Sequence, residues 1–357
     1  MPSSMTATRG PALALLSAAL FGASTPLAKM FLGQGVDAWL LAGLLYLASG
    51  VGLGALYLVS RGARGTAREA PLHASELPVL ALVVLFGGIL GPLLLMQGLA
   101  RMGAAPAALL LNLESLFTLL LAWTVFHEHV DARLLIGAAA ILLGAGLLSW
   151  QHGGAHVGLP ALIIAAACLC WALDNNLTRK LSASDPVQIA GVKGLIAGAI
   201  NLGIAHSRGE PFPHALTLVG VGAVGVVGYG ASLVLFVLAL RYLGAARTGA
   251  YFSTAPFIGA LLALLLLHEP LTLQLLLAAA LMGLGVYLHL TELHEHEHQH
   301  EALAHEHRHS HDEQHQHEHD AGQPAGEPHT HWHRHAPLVH SHPHYPDLHH
   351  RHRHARR

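Results

Sequence analysis

Two stretches of the chain repeat one another. Gly103-Ala104-Ala105 opens an apolar run that closes on His127-Glu128, and Gly244-Ala245-Ala246 opens another that closes on His268-Glu269. Both ends are displaced by 141 residues. Self-similarity at a fixed spacing constrains architecture before any local reading, because whatever the first copy folds into, the second must also fold into. The likeness extends upstream. Phe21-Gly22-Ala23-Ser24-Thr25-Pro26-Leu27-Ala28-Lys29 lies over Trp171-Ala172-Leu173-Asp174-Asn175-Asn176-Leu177-Thr178-Arg179 at an offset of 150. Asp37 with Ala42-Gly43 lies over Asp185 with Ala190-Gly191 at an offset of 148.

The repeated region is built of apolar runs. About 20 apolar residues in a helix cross ~30 Å of hydrocarbon, and ten runs of that size lie near 11–33, 38–60, 77–100, 104–126, 131–150, 158–181, 187–206, 215–240, 244–267 and 271–290. Each copy therefore holds five spans. Five is odd, so the second copy enters the membrane upside down relative to the first. Inverted repeats of this kind place a substrate site near mid-membrane, where the halves meet, and support alternating access. The expected fold is an all-α integral membrane protein of ten transmembrane helices in two inverted five-helix repeats, 1–150 and 151–290, with a disordered tail at 291–357. Glycines inside the spans (Gly87, Gly88 and Gly91; Gly194 and Gly198; Gly222, Gly225 and Gly228) read as seams where helices approach closely.

Charge divides the chain in the same way. Residues 1–290 carry 13 Lys/Arg and 10 Asp/Glu, whereas 291–357 carry 22 of the 31 histidines and no long apolar run. With the N-terminus inside, nine basic residues (Arg9, Arg61, Arg64, Arg68, Arg133, Arg179, Lys180, Arg241 and Arg247) face the cytoplasm and three (Lys29, Arg101 and Arg208) face the other side. That is a positive-inside bias. The expected location is a multi-pass protein of the cell membrane with both termini cytoplasmic. No cleaved signal peptide is expected, since the first apolar run is long and lacks a polar boundary after it.

Ten spans in two five-span repeats resemble the drug/metabolite transporter superfamily, in its EamA type. The carrying residues in the second half are Ala239-Leu240 to Gly244-Ala245-Ala246, then Thr254-Ala255-Pro256-Phe257 and Glu269. The first half has Leu99-Ala100 to Gly103-Ala104-Ala105, then Glu114-Ser115-Leu116-Phe117 and Glu128. It departs in having Ser115 where the second half keeps Pro256, and Gly22 rather than Trp after Phe21. The resemblance covers about residues 11–290. It implies the fold and a transporter rather than an enzyme, and leaves the substrate open.

Polar side chains inside spans are costly in lipid and normally face a cavity or a partner. Glu114, with Asn112 nearby, lies near the middle of the fourth span. Asp174 and Asn175 lie in the sixth span and Lys193 at similar depth in the seventh, so Asp174 and Lys193 can equally form a structural ion pair. Gln97 and Asn201 are lesser candidates. Trp171 and Phe21 occupy matched repeat positions and either line the cavity or pack. A carboxylate that exchanges a proton within the membrane suits proton coupling, because desolvation favours the neutral form.

Other motifs exclude more than they include. His127 and His129 are two residues apart, and His268 has no neighbouring histidine, so neither matches the i, i+4 pair of a zinc hydrolase helix. The repeated Glu128 and Glu269 are expected to cap or tether span ends. Cys168 and Cys170, two apart in an apolar span, read as small buried hydrophobes. No glycine-rich loop with Lys-Ser/Thr indicates ATP-driven pumping.

The tail is a separate signal. His294, His296, His298 and His300, then His305, His307, His309 and His311, then His315, His317 and His319 alternate with Glu, Gln, Arg and Ser. Such a segment cannot bury a core. Imidazoles with interleaved carboxylates suit Zn, Ni, Co or Cu, bound at several weak sites. No cofactor is required by this reading. The expected partners are the lipid bilayer, a small-molecule substrate, divalent metal ions at the tail and a second copy of the chain, with no nucleic acid. The expected function is secondary transport of small organic solutes, exported in exchange for protons. The alternative is transport of a divalent metal, loaded or sensed by the tail.

Overall fold

The computed structural model describes residues 4–63, 72–125, 132–150, 158–181, 184–291, 295–299, 303–309, 329–335 and 339–343. Ten helices are long and apolar enough to cross a membrane. Spans 1 to 5 are Arg9–Gly33, Ala38–Leu58, Ala74–Ala100, Ala104–Leu121 and Ala132–Ser149. Spans 6 to 10 are Leu159–Thr178, Pro186–Ser207, Ala215–Leu240, Arg247–Leu266 and Leu273–Leu290. Each falls on one of the ten expected runs. Large apolar side chains cover the outside: Leu216 is 85% exposed and Leu273 72% exposed. On a water-soluble surface a belt of this kind would drive association; in a bilayer it is the face that meets lipid.

The repeat is realised in the packing. Span 2 packs along span 7, span 5 along span 10, and span 4 against span 9. Span 3 packs on span 6 as span 8 packs on span 1, and span 4 meets span 6 as span 9 meets span 1. Every major contact thus crosses between the halves, so the two sequence repeats interleave into one bundle. The span 2–span 7 seam is set by glycines: a Cβ at Gly194 would lie 2.6 Å from the backbone nitrogen of Gly50. Only bare backbone lets these two helices come so close.

The repeated aspartates begin equivalent helices. Asp37 Oδ1 accepts from the backbone N–H of Trp39 at 2.8 Å and of Leu40 at 3.2 Å. Asp185 Oδ1 accepts from Val187 at 2.8 Å and Gln188 at 3.4 Å. Each satisfies amides that the first helical turn leaves without an intrahelical partner.

One connection differs from expectation. Helical hydrogen bonding runs without a break over Ser232–Phe252, where a loop between spans 8 and 9 is expected. The chain still reverses there. Ser232 meets Ser17, and the Phe252 ring returns to within 4.9 Å of the Phe236 ring. In a straight helix, 16 residues of rise would separate those two by roughly 24 Å.

In the tail, β1 (Glu295–Gln299) pairs antiparallel with β4 (Val339–Pro343), and β2 (Leu303–His309) with β3 (His329–His335). Strict alternation of His with other residues has the period of a strand. Two-stranded ribbons are marginally stable in water, and the ten-span bundle remains the folded core. His296, His298, His305, His307 and His309 fall in these strands. His294, His300, His311, His315, His317 and His319 lie outside the described residues.

Candidate functional site

Spans 3 and 8 change helical pitch as they reach the middle of the bundle. Val84–Leu90 and Gly225–Ala231 are π-helical, and the two segments stand 141 residues apart, at the offset of the repeat. A π-turn bonds residue i to i+5 and recurs at functional sites. Here the Gly87 carbonyl accepts the Tyr46 hydroxyl at 2.7 Å and the Trp171 indole N–H at 3.3 Å. A Cβ at Gly87 would run into the Asp174 carboxyl group and come within 2.5 Å of Lys193 Nζ, so this position must stay bare for the ion pair to pass.

Spans 4 and 9 are interrupted at matched points. Ala104–Leu110 gives way at Leu111-Asn112 to Leu113–Thr124. Ser232–Phe252 gives way at Ser253-Thr254 to Ala255–Leu266. Discontinuous helices near the midplane are where transporters build binding sites, and Glu114 stands directly after the first break.

Between these elements lies a cavity enclosing about 550 Å³ of empty space, its mouth included. Its polar wall has two parts. Lys193 Nζ meets Asp174 Oδ2 at 2.5 Å, with side chains 3% and 5% exposed, and Thr178 donates to Asp174 Oδ1 at 3.2 Å. Asn175 Nδ2 donates to Glu114 Oε1 at 2.5 Å, while Glu114 Oε2 has no hydrogen-bond partner among the described residues. The apolar wall is aromatic and centres on Phe21. Its ring lies 5.7 Å from Trp171, 5.8 Å from Tyr229 and 5.4 Å from Phe252. Tyr46 stacks edge-on against Tyr229 at 5.4 Å. The Tyr229 hydroxyl is buried, close to Ser24.

Of the residues singled out from sequence, Glu114, Asp174, Asn175, Lys193 and Trp171 share this cavity with Phe21. Asn112 does not line it: its side chain donates to Leu109 O at 3.0 Å and lies 3.9 Å from the Met282 sulfur. Gln97 is also elsewhere, with Oε1 accepting from Arg101 at 2.6 Å. Asn201 is buried with neither amide atom bonded, in the span that packs on span 2. Sequence reading misses Tyr46, Tyr229, Phe236, Phe252 and Ser232, which also line it. The only signal for them was position: Tyr229 sits in the second π segment, among closely spaced glycines.

The scaffold is duplicated and its charges are not. In the repeat alignment Asp174 stands over Ser24, Lys193 over Leu45 and Glu114 over Ala255. The polar chemistry of the cavity therefore exists in one copy.

A second cluster closes one end of the bundle. Glu269 accepts from the backbone N–H of Ala104 at 2.6 Å and of Ala105 at 2.8 Å, at the start of span 4. Lys29 donates to Leu99 O at 2.7 Å and Met102 O at 2.9 Å, at the end of span 3. An acid on free amides and a base on free carbonyls complement the helix ends they touch. His268 takes a left-handed backbone conformation (φ 51°), which turns the chain so that Glu269 reaches inward. The tether expected of Glu269 is thus present, while His127, Glu128 and His129 lie outside the described residues. Replacing Glu269 with Ala is expected to lower stability by about 1 kcal/mol, the usual size of a lost helix cap. In a background lacking Cys168 and Cys170, a cysteine placed at Met102 should then react faster with a membrane-impermeant thiol reagent. Unchanged melting and labelling would mean the carboxylate is dispensable there.

Among the described residues, no group of three or more His, Cys, Asp or Glu side chains is placed to hold a metal ion. The side chains of the histidines expected to bind metal in the tail fall outside that statement.

The model of the EamA-like transporter family matches residues 8–150 and again 158–291. An uncharacterized transporter of Methanothermobacter thermautotrophicus is 31% identical over 219 residues, covering 58% of this chain and 62% of that protein. The alignment thus spans less than two thirds of the relative's length. A solved structure, described only as the crystal structure of a protein, matches with a TM-score of 0.58 at 21% identity, over 78% of this chain and 95% of that one. At that identity the match speaks to fold alone.

Proposed function

Since the chain belongs to the EamA-like transporter family, a multi-pass membrane transporter family, we propose that it is a secondary transporter that exports small organic solutes in exchange for protons. The observation that carries this reading is the cavity where the halves meet, with the Glu114 carboxylate open on one side beside a neutralised Asp174–Lys193 pair. Solute binds against the aromatic wall. Glu114 holds either a proton or the polar end of the solute, and the interleaved halves rock to open the cavity to one side at a time.

With the N-terminus in the cytoplasm, the Lys29–Glu269 cluster lies at the outer end, and this conformer is tied shut there. Breaking those four hydrogen bonds is part of outward opening. The bonds are charge-assisted, with favourable helix-end electrostatics, so opening needs compensation from bound solute or proton.

The test is flux in vesicles reconstituted with the purified chain. An imposed pH gradient is expected to drive uphill movement of an organic solute, and addition of solute should move protons the other way. Protein-free vesicles set the background for passive permeation. Flux of Zn, Ni or Co in place of organic solute, lost when the chain is stopped after Thr291, would overturn this reading in favour of metal transport.

A further inference from the structure

The proposed transport reading leaves the charge of the solute open, and the cavity bears on it directly. Its lining carries three ionisable side chains of formal charge, Glu114, Asp174 and Lys193. The last two are committed to one another at 2.5 Å and nearly excluded from solvent. Lys193 therefore has no positive charge to spare for a solute carboxylate. Glu114 is hydrogen-bonded to the neutral Asn175 and has no ion-pair partner of its own among the described residues. With Glu114 ionised, the lining holds one uncompensated negative charge, and aromatic rings (Phe21, Tyr46, Trp171, Tyr229) line the same space. The faces of aromatic rings attract cations, more strongly where water is excluded.

We propose that this site takes an organic monocation: a primary or secondary amine carrying an aromatic or bulky apolar body. The ammonium group donates to the Glu114 carboxylate on the side that Asn175 leaves open. The body lies among the rings around Phe21. A zwitterion of the same shape brings a carboxylate into a wall that already holds two acids and has no free cation among its described lining residues. An anion meets the same repulsion without the gain. Proton and solute then carry the same charge and compete for one carboxylate, so the exchange is one for one and electroneutral.

This inference rests on the transport reading for its biological setting, but its test can fail separately. Tyramine, tyrosine, tyrosol and 3-(4-hydroxyphenyl)propionate share one phenolic body and differ in charge. Binding of each to the full chain in lipid nanodiscs is measured by calorimetry, for the wild type and for Glu114→Gln. Tyramine is expected to bind about tenfold tighter than the other three, and Glu114→Gln should erase the preference over tyrosol. Glu114→Asp, which keeps the charge, should retain it. Equal or tighter binding of tyrosine or the propionate would overturn the proposal, as would a tyramine preference that survives Glu114→Gln. The same four compounds in reconstituted vesicles separate the two readings. Proton-coupled movement of tyrosine leaves the transport reading standing and the charge assignment wrong. Glu114-dependent tyramine binding without movement of any of the four leaves the assignment standing and counts against transport.

Discussion

Replacing Glu114 with Gln is expected to cut pH-driven solute flux by about a hundredfold, the scale on which loss of a proton-transferring side chain acts. The substitution is close to isosteric. The new amide oxygen can still accept from Asn175, which now reaches Oε1 at 2.5 Å, so folding and the break in span 4 should survive. What is lost is an exchangeable proton at the one place where the cavity wall has an acid without a cation. Flux in the variant should no longer respond to the pH gradient, while the melting temperature stays within a few degrees of wild type. Wild-type pH response in this variant would remove Glu114 from the coupling mechanism.

The second large effect concerns the neighbouring pair. Lys193→Met leaves the Asp174 carboxylate without its partner at 5% side-chain exposure. Removing one member of a buried ion pair typically costs ~3–5 kcal/mol, because the remaining charge stays buried and uncompensated. The single variant should therefore melt well below wild type or fail to accumulate. The double variant Lys193→Met with Asp174→Asn should recover most of the loss, since both charges are then gone. A single variant as stable as wild type would show that the pair contributes little to folding. Thermal unfolding of the full chain in detergent decides between these outcomes.

Much of this molecule was legible before its structure. A bilayer imposes a length on every helix, so ten apolar runs translate into ten spans with errors of a few residues at their ends. The repeat carried further: Asp37 and Asp185 match in sequence because both begin helices, and Glu269 was marked by its twin Glu128 although its partners, the amides of Ala104 and Ala105, were not. Polarity identified Glu114, Asp174 and Lys193 because lipid tolerates such groups only with partners. The same rule picked out Gln97 and Asn112, which do not line the cavity: Gln97 Oε1 accepts from Arg101, and Asn112 Nδ2 donates to Leu109 O while its Oδ1 stays unpaired. Sequence does not tell which way a polar group turns.

The aromatic wall was harder. Phe236 and Phe252 face the cavity and Leu216 faces lipid, yet all three are apolar residues in apolar spans. In a soluble protein the inside and outside of a helix differ in composition; here they do not, and the hydrophobic pattern loses its directional content. The π segments were illegible for another reason. They are a choice of hydrogen-bond partner along the backbone, and the residues that make it are the same glycines and valines that make an ordinary span.

A π-turn and an α-turn differ by one residue in hydrogen-bond spacing, which makes Val84–Leu90 and Gly225–Ala231 places where chain length and site geometry come apart. Losing a single codon from either segment would return the span to regular helix. It would still be long and apolar enough to insert, and ten spans would still be counted. The helix on either side would keep its register, because the α-turn that replaces the π-turn holds one residue fewer, but the local bulge would be gone, withdrawing the Gly87 carbonyl from Tyr46 and Trp171 or Tyr229 from its place in the wall. In an alignment of relatives, a one-residue gap at these two positions would therefore mark a change of cargo rather than a harmless variation in loop length.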